Sequence, residues 1–333
     1  MTTETVTPRP QRRRMPSMSV MGPVLALVIL VVIGALLNPN FLGAGNINNV
    51  LSRSAFIGII AVGMTFVITA GGLDLSVGSM AAFIAGLMIL VMNAALPSLG
   101  VGIPIIVLGM LVALVAGVLA GLLNGFFITT LGIEAFIVTL GTMGIYRSLV
   151  TWIANGGTLS LDFGLRTYYR PVYFDGILGI SWPIIVFALV VIAGQILMSR
   201  ARFGRHCAAI GSNEHVAHYS NVNVNRTRMA TYAMLGLLVG IATIMYVPRL
   251  GSASASTGVL WELEAIAAVI IGGTVLKGGF GRVWGTVIGV LILSLIDNIL
   301  NLTDLVSPYL NGAIQGVIIV LAVILQREAK AKG

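Results

Sequence analysis

The chain has 333 residues, of which 57% are hydrophobic and only 9% are charged, and its formal net charge is +8. A soluble domain carries about 25% charged residues, because its surface faces water. This composition excludes an ordinary water-soluble protein and predicts that much of the surface faces lipid. The positive charge follows the membrane topology described below, so we expect no nucleic-acid partner.

The first 20 residues form a basic tail, with four arginines ahead of the first apolar run. No small-residue cleavage site follows that run at the distance typical of a secretory signal, so we interpret it as a retained first span.

Ten apolar stretches predict membrane-spanning helices, at about 21–37, 55–71, 76–96, 103–127, 135–153, 179–198, 229–248, 263–276, 284–300 and 309–326. A helix crosses the hydrocarbon core, about 30 Å thick, with about 20 residues. For the short stretches 135–153 and 263–276, a re-entrant or tilted helix is therefore an alternative.

The basic residues indicate the orientation of these spans. With the N-terminus in the cytoplasm, the inside segments hold 14 Lys and Arg residues and the outside segments hold four, Arg53, Arg166, Arg170 and Arg249. Cytoplasmic loops are enriched in Lys and Arg. We therefore predict an all-α polytopic membrane protein with about ten transmembrane helices and both termini cytoplasmic. Its parts are a tail at 1–20, a transmembrane domain at 21–326 with a cytoplasmic loop at 199–228, and a tail at 327–333.

Sequence motifs of common enzymes are absent. The chain contains no GxxxxGK[ST] loop, no HExxH and no GxSxG, so we expect no ATPase site and no catalytic residue in it. The single cysteine, Cys207, excludes an internal disulfide. A metal site at His206, His215 and His218 is an alternative, but a water-facing loop is the simpler interpretation, because no cysteine or carboxylate cluster accompanies them. We expect no metal and no cofactor in this chain.

Two segments place polar groups in or between spans. Residues 71–79 read GGLDLSVGS, where two glycines end one helix and Asp74 or Ser76 caps the next. This is either a tight cytoplasmic hairpin or a broken helix that lines a pathway. In the next segment the Thr139 hydroxyl is expected to bond to backbone or to a neighbouring helix. Arg147 must reach an interface, a water-filled cavity or an acidic partner, because a guanidinium is costly in hydrocarbon.

Two further segments lie towards the predicted cytoplasmic side. Within 199–228, Ser212 or Asn213 is a good N-cap for a short helix at 214–219, which needs a packing partner because so short a helix is unstable alone. This loop is either a solvated basic loop or a docking element for a cytoplasmic protein. The segment 262–282 contains small residues that permit close helix packing, followed by a Gly-rich turn.

In this order, the segments 71–79, 135–142, 202–224 and 262–281 resemble the permease subunits of ATP-binding-cassette sugar importers. Their matching stretches are GGLDLSVGS, FIVTLGT, RFGR followed by AIGSN, and ELEAIAAVIIGGT followed by GGFG. The ribose, xylose, arabinose and galactose permeases belong to that family. The resemblance covers about residues 40–325.

The resemblance implies a multi-pass permease of the bacterial inner membrane that moves a monosaccharide or similar small polyol by alternating access. It also implies a second permease subunit, in a homodimer or heterodimer, a periplasmic sugar-binding protein, and ATPase subunits that bind ATP and Mg. The family's ATPase-coupling region falls on Arg202, Gly204, Gly211, Ser212, Asn213, Glu214, His215 and Val224. Candidates for the translocation pathway are Asp74, Ser76, Thr139, Arg147 and Asn298, with Asn124, Asp297 and Asn301 as further polar positions.

Three alternatives remain at this point. A related permease of the same superfamily would carry another solute, such as a branched amino acid or an autoinducer sugar. An autonomous channel or facilitator would transport without an ATPase. An intramembrane enzyme is disfavoured by the missing catalytic motifs.

Overall fold

The computed structural model describes residues 18–303, Leu310, 312–314 and 316–317. The predicted tenth span at 309–326 lies largely outside these residues, as does most of the N-terminal tail, and the tail at 327–333 lies wholly outside them. In the described part the chain is predominantly helical. The all-α fold class is therefore confirmed, whereas the total number of spans and the orientation of the termini stay predictions.

The helices follow one another with short connections. They are α1 (Met18–Leu37), α2 (Ala44–Thr69), α3 (Val77–Leu99), α4 (Ile103–Thr129), α5 (Ala135–Ile153), α6 (Phe163–Tyr169), α7 (Pro171–Phe174), α8 (Trp182–Ser199), α9 (Arg202–Ser212), α10 (Glu214–Tyr219), α11 (Val224–Leu250), α12 (Trp261–Ile271) and α13 (Val283–Thr303). Seven of them, α2, α3, α4, α5, α8, α11 and α13, are long and apolar enough to cross a membrane, and α1 contributes a shorter apolar stretch, Gly22–Leu37.

Two predicted spans differ from the helices observed. The stretch 263–276 corresponds to α12, whose 11 residues cover only about 16 Å at 1.5 Å per residue. This length favours the re-entrant alternative for α12, whereas α5, the other short stretch, has the full 19 residues. Helix α2 begins at Ala44, 11 residues before the predicted start at 55. The polar residues of its first turns lower the local hydropathy and so conceal the start of the helix. One of them, Asn46, exchanges hydrogen bonds with Asn298 of α13.

Helix α2 lies at the centre of the bundle, with every residue from Ser54 to Ala70 buried except Ile57. In contrast, α4 leaves a stripe of apolar side chains exposed at Leu111, Val115 and Leu119. Their spacing of four residues puts them on one helical face. An exposed apolar face on a helix of this length is typical of a surface against lipid tails.

Helices α4 and α11 approach each other through glycines. A methyl group on Gly117 of α4 would overlap the carbonyl oxygen of Gly236 of α11, and the reverse substitution would overlap the Gly117 carbonyl. One turn further along α4, a methyl group on Gly121 would overlap the Tyr232 carbonyl oxygen of α11, and one turn further along α11, a methyl group on Gly240 would overlap the Ala113 carbonyl oxygen of α4. In lipid, where apolar burial does not drive helices together, such small-residue pairs let backbones pack by van der Waals contact.

Four short strands were not predicted. Strands β1 (Thr158–Ser160) and β4 (Ser252–Ser254) pair antiparallel, with Leu159 opposite Ala253. Strands β2 (Gly176–Ile177) and β3 (Ile180–Ser181) form a hairpin. The first pair ties the predicted outer segment 154–178 to the end of α11. We call the side of the bundle with these strands the strand end.

Candidate functional site

The break between α2 and α3 holds a buried polar group at Asp74. Its Oδ1 atom accepts hydrogen bonds from the Ser76 backbone N–H at 2.8 Å and from the Ser76 hydroxyl at 2.6 Å. Asn124 of α4 donates from Nδ2 to Asp74 Oδ2 at 3.1 Å and to the Ser76 hydroxyl oxygen at 3.0 Å. All three side chains are fully buried. The carboxylate thus organises the chain reversal and joins it to α4.

Burial raises the pKa of the Asp74 carboxyl above its ordinary value of 3.8, although the hydrogen bonds from Ser76 and Asn124 act in the opposite direction. A buried carboxylate is costly unless it is paired. Among the residues described, the Asn124 Oδ1 atom is also buried and has no hydrogen-bond partner. The break therefore contains both a perturbed acid and an unused acceptor, which is unusual for a purely structural turn.

Tyr232 of α11 is a member of this site that sequence reasoning missed. Its hydroxyl donates to the Leu73 carbonyl at 3.0 Å, and the residue is almost fully buried. An aromatic residue in an apolar helix carries no local signal for such a role. Only the packing of α11 against the break places the hydroxyl there.

The coupling segment, residues 202–224, folds as α9 followed by the short helix α10. The predicted helix at 214–219 is confirmed, and the Asn213 side chain caps it by accepting from the Val216 N–H at 3.1 Å. Glu214 receives a hydrogen bond from Arg228 of α11, with 2.7 Å between the charged atoms. The packing partner that so short a helix requires is a small cluster of Ile210, Ala217, Val222 and Val224.

The remaining predicted coupling residues divide into buried and exposed groups. Gly204 is buried against the end of α8, where a side chain would overlap the carbonyls of Leu197 and Met198. Arg202, Ser212, Asn213, Glu214 and His215 are exposed. Arg202 lies at the start of α9, whereas Ser212, Asn213, Glu214 and His215 follow one another where α9 ends and α10 begins. We call this exposed junction, residues 212–215, the docking surface.

The coupling segment touches the break directly. A Cβ atom on Gly278, in the turn after α12, would lie 2.9 Å from the Gly211 Cα and 3.0 Å from the Gly71 Cα. The neighbouring Gly279 N–H donates to the Thr69 carbonyl at the end of α2, at 2.9 Å. We call the backbone contact of Gly71, Gly211 and Gly278 the glycine node. It joins three of the four sequence segments that carry the family resemblance.

Arg147 of α5 has the acidic partner that was one of its expected options, and in addition it binds backbone carbonyls, which were not expected. Its guanidinium donates to the carbonyls of Ala255 and Thr257, both at 2.6 Å. These belong to the irregular segment 255–260 between β4 and α12. The Glu262 carboxylate, at the start of α12, also interacts electrostatically with Arg147. The charge thus supports a non-helical backbone segment whose carbonyls lack a regular partner.

Thr139 and Asn298, two predicted pathway residues, bond elsewhere. The Thr139 hydroxyl donates to the Ala135 carbonyl one turn back, as expected for a structural role. Asn298 of α13 exchanges hydrogen bonds with Asn46 of α2 at 2.8 and 3.0 Å. Of the five predicted pathway residues, only Asp74 and Ser76 form one group.

Comparison with known proteins supports a transport function. Residues 46–323 match the family described as the permease component of a branched-chain amino acid transport system. A ribose import permease protein of Bacillus subtilis is 40% identical over 328 residues, which cover 94% of each chain. That of Haemophilus influenzae is 36% identical over 90% of each chain. A xylose transport system permease protein of Escherichia coli is 32% identical, over 88% of this chain and 87% of the relative.

Proposed function

From its membership of this permease family, as a multi-pass inner-membrane subunit of an ATP-binding-cassette sugar importer, we propose a solute for the chain. The proposed solute is a pentose such as ribose. The observation that carries the proposal is the match to ribose permeases over nearly the whole chain at up to 40% identity. A match of this extent includes the break, the coupling segment and the glycine node together.

The proposed topology has ten spans and both termini in the cytoplasm. The bias of basic residues towards the predicted inside segments supports it. In this orientation the docking surface and the glycine node lie at the cytoplasmic end of the bundle. The strand end, with the segment 154–178, then faces the periplasm.

The chain is a permease without its own ATPase site, and its partner subunits bind ATP and Mg. We assign ATPase docking to the docking surface, because α10 is an exposed short helix whose cap and ion pair hold it in one orientation. The glycine node then connects a movement of α9 to the end of α2 and hence to Asp74. ATP binding can shift the population of pathway states only if the ATPase binds one state more tightly than another.

The assembly contains a second permease subunit, a periplasmic sugar-binding protein and the lipid bilayer. Both a homodimer and a heterodimer of permeases are compatible with the chain. The break at 71–76 forms part of the pathway, with Asp74 and Ser76 as its polar residues.

Two other functions are distinguished by experiment. A branched-chain amino acid is a candidate solute, because the matched family carries that description. An autonomous facilitator would need no ATPase. The test is uptake of labelled ribose, xylose, glucose and leucine into proteoliposomes that contain this chain alone or with its ATPase and binding protein.

Ribose uptake that requires every component and ATP is the expected result. Leucine uptake under the same conditions would show that the solute is a branched-chain amino acid and not a pentose. Uptake by the chain alone without ATP would contradict the importer assignment.

A further inference from the structure

A cavity of about 430 Å³ is lined in part by Ser256, Gly258 and Val259, which follow β4 at the strand end. It lies between α2, the end of α11, the start of α12 and α13. Both aromatic and polar side chains line it, among them Arg53, Phe56, Tyr246, Trp261, Asp297 and Asn298. It is separate from the Asp74 group, and we call it the outer cavity.

One wall of the outer cavity is a cluster of three rings. Phe56 and Trp261 stack nearly parallel, with 6.4 Å between ring centroids and 13° between planes. Tyr246 stands edge-on to both, at 5.6 Å from Phe56 and 5.0 Å from Trp261. Phe56 and Tyr246 are buried, whereas Trp261 is partly exposed. Because the rings brace one another, Trp261 presents a flat apolar surface in a fixed orientation.

The polar part of the lining is balanced in charge. Arg53 and Arg249 contribute two positive groups, and Glu264 and Asp297 contribute two negative ones. The Asn298 amide is oriented by its two hydrogen bonds with Asn46. Small-molecule sites combine apolar and aromatic surface with a few placed polar groups in this way. A lining with both donors and acceptors, and no excess of charge, suits a neutral solute rich in hydroxyl groups.

We propose that the outer cavity receives a monosaccharide, with one face of the sugar ring against Trp261 and its hydroxyls towards Arg53, Arg249 and Asp297. A sugar ring has an apolar C–H face that packs on an aromatic ring, while its hydroxyls both donate and accept hydrogen bonds. The assignment rests on the proposed sugar-import function and adds a receiving site at the periplasmic end of the pathway.

The single cysteine makes a direct test feasible. Cys207 is buried, and burial raises the pKa of its thiol to about 12, so it reacts poorly. A Cys207→Ala background removes it altogether. Ser294→Cys then places a thiol in the lining of the outer cavity. Ser98→Cys, an exposed position near the end of α3 outside that lining, is the matched control.

The assembled permease and ATPase are treated with a charged thiol reagent, with and without excess ribose. If the sugar binds in the cavity and ribose is present at about ten times its Kd, labelling of Ser294→Cys should slow about tenfold, because only the empty cavity reacts. Labelling of Ser98→Cys should not change. Equal labelling rates at Ser294→Cys, in a preparation that imports ribose, would overturn the site while leaving the import function intact. Protection by leucine and not by ribose would overturn the sugar assignment.

A second variant series gives an independent readout. Trp261→Leu should raise the KM for ribose uptake at least severalfold. Trp261→Phe should have a KM close to that of the unsubstituted importer, because an aromatic face remains. An unchanged KM in a Trp261→Leu importer that inserts and hydrolyses ATP normally would contradict the proposed ring contact.

Discussion

Gly211 at the end of α9 packs on Gly278 so closely that neither residue has room for a side chain. A Cβ atom on Gly211 would overlap the Thr69 carbonyl oxygen, which already accepts a hydrogen bond from Gly279. Gly278 also needs glycine for its backbone, since its φ is +86°. The segment proposed to dock the ATPase is therefore in backbone contact with the end of the central helix.

The glycine node predicts a strong effect of a single methyl group. Gly211→Ala should force α9 away from Thr69, at a cost of about 1–3 kcal/mol typical of overpacking. ATP-driven uptake should fall at least tenfold, because movement of the docking surface no longer reaches α2. Uptake assays and thermal unfolding of the purified permease measure the two effects. Gly141→Ala is the control, since a Cβ there has nothing within 4 Å, and a Gly211→Ala importer with normal uptake would refute the role of the node.

Capping of α10 predicts weaker binding of the ATPase. Asn213→Ala removes the side-chain acceptor for Val216 and should destabilise α10 by about 1 kcal/mol. Glu214→Ala removes an exposed ion pair and should cost less than about 1 kcal/mol. The double variant should co-purify less ATPase while inserting normally. Asn213→Asp keeps the capping oxygen and should retain the ATPase, and equal co-purification with the double variant would exclude this surface as the docking site.

The polar group at the break predicts that Asp74 tolerates neutralisation better than truncation. Asp74→Asn keeps an oxygen for the Ser76 donors, whereas Asp74→Ala leaves buried donors unpaired, at about 1–3 kcal/mol for each. Asp74→Ala should therefore lower the unfolding temperature by several degrees more than Asp74→Asn. Thermal unfolding in detergent measures both, and equal destabilisation would contradict the assigned bonding.

The raised pKa of Asp74 also predicts a pH dependence. Folded protein binds the Asp74 proton more tightly than unfolded protein does, because burial raises the pKa above 3.8. The free energy of unfolding should therefore fall as pH rises from below 3.8 through the folded pKa, and this contribution should be absent in Asp74→Asn. Unfolding curves of the two proteins at a series of pH values test this. Identical slopes would show that the carboxyl is not buried as described.

The hydrogen bonds of Arg147 to the segment 255–260 predict that removing its guanidinium loosens this segment. Arg147→Met removes both charge-assisted hydrogen bonds, each worth about 1.5–3 kcal/mol, and leaves two carbonyls without them. Faster proteolysis at this segment and reduced uptake are expected. Arg170→Met, which removes an exposed arginine stacked on Phe174, is the control, and an unchanged protease pattern in Arg147→Met would show that other contacts hold the segment.

Sequence alone determined that the chain is a membrane protein, and it located most spans, the break at 71–76 and the short capped helix at 214–219. These features depend on local quantities, namely hydropathy over about 20 residues, glycine at helix ends and a capping side chain. The family resemblance followed from the same local motifs. It also indicated the coupling residues, but not what they contact.

Tertiary structure alone decided which distant residues meet. The glycine node brings together Gly71, Gly211 and Gly278. Phe56 stacks on Trp261 in the wall of the outer cavity, and Asn46 forms hydrogen bonds with Asn298. Small residues permit close backbone approach at many positions, so their pattern does not say which two helices will use it. The early start of α2 was missed for a related reason, because polar residues that bond inside the bundle read as loop until their partners are known.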